Sequence, residues 1–124
     1  MYKFVTGRIR AGGYALKGAL LLIRSEASIQ VQFTIAVIVT IAGFYFDITA
    51  SEWMFQILAI GLIMTAEGLN TAVEKIADFV HPDYHSKIGF IKDVAAGAVF
   101  IAAVTAVIVG FVIYLPYLFP ELNF

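Results

Sequence analysis

Four polar side chains lie on one stripe of an otherwise apolar helical segment. The segment EGLNTAVEKIAD follows the run WMFQILAIGLIMTA and supplies Glu67, Asn70, Glu74 and Asp78. At about 100° per residue on a helix, the four fall within roughly 80° of one another. Carboxylates at membrane depth are costly unless they meet a cation or one another, so such a stripe marks a candidate functional site. The stripe therefore indicates metal-assisted chemistry on a molecule that resides in the bilayer.

The depths of these groups suit phosphoryl transfer. Glu67 lies about 10 Å deeper in the membrane than Glu74, at 1.5 Å of rise per residue. Glu26, Glu74 and Asp78 gather near the cytoplasmic surface, and two carboxylates there can hold Mg²⁺, which prefers oxygen ligands and often bridges to substrate phosphates. The deeper carboxylate can act as a general base, and the pair Lys92-Asp93 supplies a cation for phosphate. This arrangement suits transfer from a cytoplasmic nucleotide to a lipid hydroxyl.

The spacing alone leaves other functions open. An intramembrane acidic stripe is also compatible with a small oligomeric pathway for protons or cations, or with structural bonding between helices. The sequence has neither a Walker A motif nor a kinase-type glycine loop after a strand, which excludes the common nucleotide-binding folds. It has no cysteine, which excludes disulfides and thiolate metal sites.

The composition predicts an all-α membrane protein. Of 124 residues, 61% are apolar and 14% charged, and a soluble domain of this size would leave much of that apolar surface uncovered. A helix needs about 20 apolar residues to cross the hydrocarbon core. Three stretches qualify: 27–46, 53–73 and 94–115. Together with an N-terminal amphipathic surface helix over 3–24, they predict one membrane domain spanning residues 1–124.

The basic residues predict the orientation. All eight lie before the first span or between the second and third: Lys3, Arg8, Arg10, Lys17, Arg24, Lys75, Lys87 and Lys92. The positive-inside rule then places the N-terminus and the second loop in the cytoplasm and the C-terminus outside.

Glycine and proline predict where helices break or end. Gly12-Gly13 weakens the surface helix by about 1 kcal/mol per residue and favours a break there. Pro82 ends the second span. Tyr114, Pro116 and Tyr117 are expected to mark the outer interface and the end of the third span.

These residues resemble the small bacterial membrane lipid kinases, the diacylglycerol kinase and undecaprenol kinase family. The densest similarity covers 66–99, AEGLNTAVEKIADFVHPDYHSKIGFIKDVAAGAV, which resembles the signature E-x-x-N-x-x-x-E followed by a YH loop and K-D. GYALKG (13–18) and SEAS (25–28) match more weakly. DVAAGAV after the K-D pair, EW at the second span and LP near the C-terminus look more like the undecaprenol kinase branch.

The resemblance implies a role for individual residues. Glu67 is the general base that faces the lipid hydroxyl, Asn70 helps to position the reacting groups, and Glu26 and Glu74 hold the Mg²⁺ bound to ATP. The residues implied to contact the nucleotide are Tyr14, Asp83, Tyr84, His85, Lys92 and Asp93. The implied assembly is a homotrimer with active sites shared between neighbouring subunits, in the bacterial inner membrane, with no nucleic-acid partner.

Two positions depart from the family pattern. Gln30 stands where many relatives have arginine, and Gln32 stands where they have an acidic residue or histidine. Any charge that those positions supply to substrate binding is missing here. These two positions therefore leave the headgroup preference open. The resemblance implies that the substrate is a membrane lipid with a primary hydroxyl, either undecaprenol or diacylglycerol.

Overall fold

The computed structural model describes residues 1–121 and consists of four α-helices joined by short connections. They are α1 (Tyr2–Ser25), α2 (Ala27–Phe46), α3 (Ala50–Val80) and α4 (Ser86–Leu118). Three of them, α2, α3 and α4, are long and apolar enough to cross a membrane. The prediction of an all-helical protein with three candidate spans is confirmed.

The N-terminal helix α1 is continuous, so the predicted break at Gly12-Gly13 is wrong. Glycine lowers helix propensity but keeps its N–H group, so the ladder of backbone hydrogen bonds passes through both positions. The helix ends at Glu26, whose extended backbone (φ −109°, ψ 116°) is the single residue between α1 and α2. This one-residue junction fixes Glu26 where two helices meet.

A tight connection joins α2 to α3. Asp47 adopts a left-handed conformation (φ 52°, ψ 50°), which ends α2. Thr49 and Glu52 then form a capping box, in which the Thr49 side chain accepts from the Glu52 N–H and the Glu52 carboxylate accepts from the Thr49 N–H. Gly43 lies against the Trp53 ring, and a Cβ at Gly43 would be 2.7 Å from its nearest ring carbon. The two helices therefore approach closely at this end.

The helices α3 and α4 form the most extensive contact between elements in the described part of the chain. They are 31 and 33 residues long, and both extend beyond the predicted spans 53–73 and 94–115. Pro82 follows the end of α3 as predicted. Pro116, by contrast, lies inside α4, and the helix continues to Leu118. Near a C-terminus proline removes one intrahelical hydrogen bond, and Phe119 N–H still reaches Leu115 O at 2.8 Å.

The α4 face turned towards α3 is built from small residues. Ala102 is buried, and it lines grooves along this contact together with Ala95, Ala98, Ala106 and Gly110. Small side chains allow helix backbones to approach closely in lipid, where packing drives association. Within the described chain these small residues therefore contribute to the packing of α4 against α3.

A polar cluster joins three helices at the end of the bundle opposite the α3–α4 loop. Gln56 is only 4% exposed, and its Nε2 donates to Val39 O of α2 at 3.2 Å. The Tyr114 hydroxyl of α4 lies 2.6 Å from Gln56 Oε1 and 2.8 Å from Val39 O. The Tyr117 hydroxyl donates to Glu52 Oε2 at 2.8 Å. We call these residues the Gln56 cluster; it ties α2, α3 and α4 together.

Candidate active site

The polar stripe occupies the half of α3 that approaches the α3–α4 loop. Glu67 is half-buried, and within residues 1–121 its carboxylate makes no side-chain hydrogen bond or ion pair. Asn70 lies one turn further on, and its Nδ2 donates to Glu74 Oε1 at 2.9 Å. The Asn70 Oδ1 is buried with no hydrogen-bond partner among the described residues. Burying an amide oxygen without a partner is unfavourable, so this atom is available to a donor or a cation.

The α1–α2 junction packs against the same turn of α3. Glu26 Oε1 lies 3.4 Å from Lys75 Nζ, and Lys75 directly follows Glu74 in the chain. Leu22 of α1 reaches α3 about two turns earlier, where a Cβ at Gly68 would be 3.0 Å from Leu22 Cδ1. The fold therefore brings Glu26, which is far away in sequence, next to the part of α3 that contains Glu74.

A second helix enters the site through Lys92. Its ammonium group forms an ion pair with the carboxylate of Asp78, which joins α3 to α4. Both side chains are accessible, with 36% of Lys92 and 58% of Asp78 exposed. Asp93 lies beside this pair on α4 and is exposed. Accessible ion pairs contribute little stability because water competes for both charges, so Lys92 can exchange Asp78 for another anion at small cost.

The loop between α3 and α4 is held by its histidines. His81 Nδ1 lies 2.9 Å from Asp83 O, and His85 Nδ1 accepts from the Lys87 N–H at 3.1 Å, which caps α4. The two rings lie 5.3 Å apart. Tyr84 is 91% exposed between them. The loop thus has a defined backbone, while Asp83 and Tyr84 present free side chains to solvent.

An apolar groove lies beside the stripe. It runs between α3 and α4, has a volume of about 620 Å³, and is lined by Asn70 and otherwise almost entirely by apolar side chains. Among its walls are Leu69 and Val73 of α3 and Ile101 of α4. A polar amide at the edge of a greasy groove is the arrangement expected where an apolar molecule presents one polar group.

The oxygen atoms at this end fit Mg²⁺ only in part. The structure contains no group of three or more His, Cys, Asp or Glu side chains that could hold a metal ion within residues 1–121. Glu26, Glu74 and the free Asn70 Oδ1 supply oxygen ligands alone, which is the donor set that Mg²⁺ prefers. Because Mg²⁺ is usually bound by one or two carboxylates plus substrate phosphates, a set of this size fits a metal that arrives with a nucleotide.

The structure brings most of the sequence-predicted residues to one end of the bundle, with one exception. Glu67, Asn70 and Glu74 share a face of α3; Glu26 joins them through Lys75, and Lys92 joins through Asp78. Tyr14 lies apart, 69% exposed on α1 and about 18 Å along the helix from Glu26. No residue within the described chain ties Tyr14 to the α3–α4 loop by a side-chain hydrogen bond.

Sequence reasoning missed the Gln56 cluster and the pairing of Asp78 with Lys92. A signal for the first was present, because Gln56 is the one amide side chain in the run WMFQILAIGLIMTA. A polar group in such a run must find a partner inside the protein. The pairing of Asp78 with Lys92 could not be predicted, since the sequence does not show how α4 is rotated and shifted against α3.

Comparisons with known proteins agree on one family. The family model described as Prokaryotic diacylglycerol kinase matches residues 13–114. An undecaprenol kinase of Bacillus subtilis is 39% identical over 93 residues, which cover 75% of this chain and 76% of the relative. A diacylglycerol kinase of Escherichia coli is 31% identical over 100 residues, covering 81% and 82%. A diacylglycerol kinase of Haemophilus influenzae is 31% identical over 104 residues, covering 82% and 88%.

Proposed function

The chain belongs to the prokaryotic diacylglycerol kinase family and is a lipid kinase, and on that premise we propose that it transfers the γ-phosphate of ATP to a membrane lipid. The acceptor is the primary hydroxyl of undecaprenol or of diacylglycerol. Both lipids present one hydroxyl at the interface on an otherwise apolar body, which suits a site with an apolar groove beside a polar stripe. The main reason to consider a proton or cation pathway was the intramembrane acidic stripe, and membership of a lipid kinase family gives that stripe another role.

One observation carries this proposal: the ammonium group of Lys92 and the polar stripe of α3 meet at the end of the bundle that bears the α3–α4 loop. The resemblance assigns residues of this loop to the nucleotide. Phosphoryl transfer requires little covalent chemistry from the protein, and depends on positioning and on stabilisation of charge. Lys92 pairs with phosphate, and Asp93 and the loop residues Asp83, Tyr84 and His85 contact the nucleotide from the same end of the bundle. Tyr14 lies apart from them within one chain, so its contact with the nucleotide is assigned to a site shared with a neighbouring subunit.

Glu67 is proposed as the general base. Its carboxylate is half-buried and unpaired within residues 1–121, so it can accept the proton of a lipid hydroxyl that enters at the depth of the stripe. Asn70 orients the reacting groups through its free Oδ1, while its Nδ2 holds Glu74 in place.

Glu26 and Glu74 are proposed to hold the Mg²⁺ that accompanies ATP. When bound, the metal would neutralise charge on the phosphate oxygens. The Lys75 ammonium, now paired with Glu26 at 3.4 Å, is 71% exposed and can turn away as the carboxylate takes up a cation.

The chain is a multi-pass bacterial membrane protein, and we place its N-terminus in the cytoplasm and its C-terminus outside. This orientation puts the α3–α4 loop on the side of cytoplasmic ATP. The proposed assembly is a homotrimer. The two carboxylates that one chain offers for Mg²⁺ are in keeping with a site completed by a neighbouring subunit or by substrate.

The experiment that tests the function is lipid-dependent ATP consumption with Mg²⁺ in mixed micelles. Undecaprenol and dioleoylglycerol are compared with a blank that contains no lipid. We expect turnover with at least one of the two lipids, and the ratio of the kcat/KM values identifies the preferred acceptor. The identity of 39% with an undecaprenol kinase leads us to expect undecaprenol to be preferred.

Well-folded protein that consumes no ATP with either lipid would contradict the proposal. In that case a proton-flux assay in liposomes would test the remaining pathway function.

A further inference from the structure

The Gln56 cluster lies far from the candidate active site yet contacts both helices that build it. Gln56 and Tyr114 join α3 to α4 through a bond of 2.6 Å, and Gln56 is almost fully buried. Asp78 and Lys92 join the same two helices at the other end. The contact of Gln56 with Tyr114, with the bond of Glu52 to Tyr117 beside it, therefore lies at the opposite end of this antiparallel pair from the contact of Asp78 with Lys92.

The two contacts are matched in spacing. Gln56 and Asp78 are twenty-two positions apart on α3 (78 − 56), and Lys92 and Tyr114 are twenty-two positions apart on α4 (114 − 92). Helices rise by about 1.5 Å per residue, so both separations are about 33 Å. Shifting α4 by one turn, about 5.4 Å, would break both contacts at once. The contact at the Gln56 cluster thus specifies the same axial register that pairs Lys92 with Asp78.

The surface between the two ends is packed incompletely. Ala102 and Ile113 of α4 are buried there, and grooves of about 350 and 620 Å³ interrupt the contact. Where the packing is interrupted, shape fixes the register less firmly than continuous interlocking of side chains would. The exposed pair of Lys92 and Asp78 adds little stability of its own. The buried bond at Gln56 is the better defined of the two contacts.

We propose that Gln56 and Tyr114 are positioning residues that hold α4 in the register which places Lys92 and Asp93 at the nucleotide. The inference rests on the proposed function, because it assigns ATP to these two α4 residues. The groups proposed for the lipid hydroxyl, Glu67 and Asn70, lie on α3 and do not move when α4 shifts, although α4 forms one wall of the apolar groove. An apolar wall makes contacts of no fixed direction, whereas Lys92 and Asp93 must meet the nucleotide at defined positions, so loss of the contact should weaken nucleotide binding more than lipid binding.

The first variant is Tyr114→Phe, which removes the hydroxyl and keeps the ring. We expect the KM for MgATP to rise about five-fold, in proportion to the loss of one buried hydrogen bond, and the KM for the lipid to change less than about two-fold. Tyr45→Phe is the matched control. Tyr45 is an 81% exposed tyrosine at the same end of the bundle, and its variant should behave as the unmodified chain.

A second variant separates positioning from stability. In Tyr114→Phe the Gln56 Oε1 loses its partner, which lowers the thermal midpoint of unfolding. In the double variant Gln56→Leu with Tyr114→Phe both polar groups are gone, and such paired replacement is nearly neutral for stability. We expect the double variant to recover the thermal midpoint and to keep the raised KM for MgATP. Recovery of the KM together with stability would overturn the proposal.

A distance measurement tests the register without any activity. The chain has no cysteine, so single pairs of spin labels can be introduced. Leu69→Cys and Ile101→Cys lie on opposite walls of one groove, and spin-diluted samples report the distance within a chain. We expect Tyr114→Phe to broaden or shift this distance. An unchanged distance would refute the inference, whereas absence of lipid-dependent turnover in the unmodified chain would instead refute the proposed function.

Discussion

At the scale of single residues, the proposed base is Glu67. We expect Glu67→Gln to lower kcat by at least about 100-fold, because a positioned general base contributes that much or more to a proton transfer. The measurement is lipid-dependent ATP turnover in mixed micelles. Asp47→Asn is the control, since Asp47 is an exposed acid at the opposite end of the bundle and asparagine tolerates its left-handed backbone. Near-normal turnover of Glu67→Gln would show that the proton goes elsewhere.

Glu74 makes a different prediction, because it is proposed to bind the metal. Glu74→Gln keeps the side-chain length but removes the charge, and we expect the Mg²⁺ concentration at half-maximal activity to rise about ten-fold or more. A Mg²⁺ titration at saturating ATP measures this. Glu121→Gln, which alters an exposed glutamate beyond α4, should leave the titration unchanged. The assignment fails if Glu74→Gln lowers activity without shifting the Mg²⁺ dependence.

The sequence predicted the stripe but not its partners. Glu67, Asn70 and Glu74 could be placed on one face because helical periodicity is a local property. The partner of Asp78 depends on how two helices dock, which no local pattern contains. Gln56 illustrates the same limit, since its isolation in an apolar run indicates a buried contact without indicating that Tyr114, fifty-eight positions away, supplies it.

At the scale of helices, the apolar stretches predicted which membrane-spanning helices exist better than where each helix begins and ends. The bounds of α2 coincide with the first predicted span, whereas α3 continues from Val73 to Val80 through charged residues. A helix continues while its backbone hydrogen bonds are made, so it outlasts its apolar part until a stop such as Pro82 intervenes. The sequence also contains the capping-box pattern T-x-x-E from Thr49 to Glu52. This pattern predicts a helix that begins directly after Thr49, three residues before the predicted span 53–73.

The contact between Gly43 and Trp53 makes a prediction about packing. Gly43→Ala would push a Cβ to within 2.7 Å of the indole ring, and we expect the substitution to destabilise the fold by about 1–3 kcal/mol. Thermal denaturation in detergent measures the change. Gly61→Ala is the control: it is also helical, and its Cβ would meet nothing within 4 Å in the described chain, so stability should hold or rise slightly. Equal effects of the two would contradict the packing argument.

The continuity of α1 makes another prediction. Gly12 and Gly13 lie inside the helix, and a Cβ at either position would meet nothing within 4 Å in the described chain. The double variant Gly12→Ala with Gly13→Ala should stabilise α1 by about 1 kcal/mol per residue. Slower amide hydrogen exchange in α1 would confirm this. Unchanged or faster exchange would mean that the glycines serve a conformation in which α1 is not one helix.

At the scale of the whole molecule, the orientation across the membrane can be tested by labelling single cysteines in a cysteine-free chain. We expect Glu121→Cys to react with an impermeant maleimide added outside the cytoplasmic membrane. Ser86→Cys, at the start of α4, should react only after permeabilisation, because the positive-inside rule keeps its loop in the cytoplasm. The reverse labelling pattern would invert the orientation and separate the site from cytoplasmic ATP.

The matched spacing of the two contacts between α3 and α4 has a consequence for the surrounding lipid. A pair fixed at both ends behaves as a strut of constant length, about 33 Å against a hydrocarbon core of about 30 Å. Bilayers grow thinner or thicker as cells change their acyl chains, and helices meet such mismatch by tilting. As long as the contacts of the Gln56 cluster keep α3 and α4 from sliding past each other, the two helices would tilt as one body. The position of Glu74 relative to Lys92 would then stay the same when the thickness of the membrane changes.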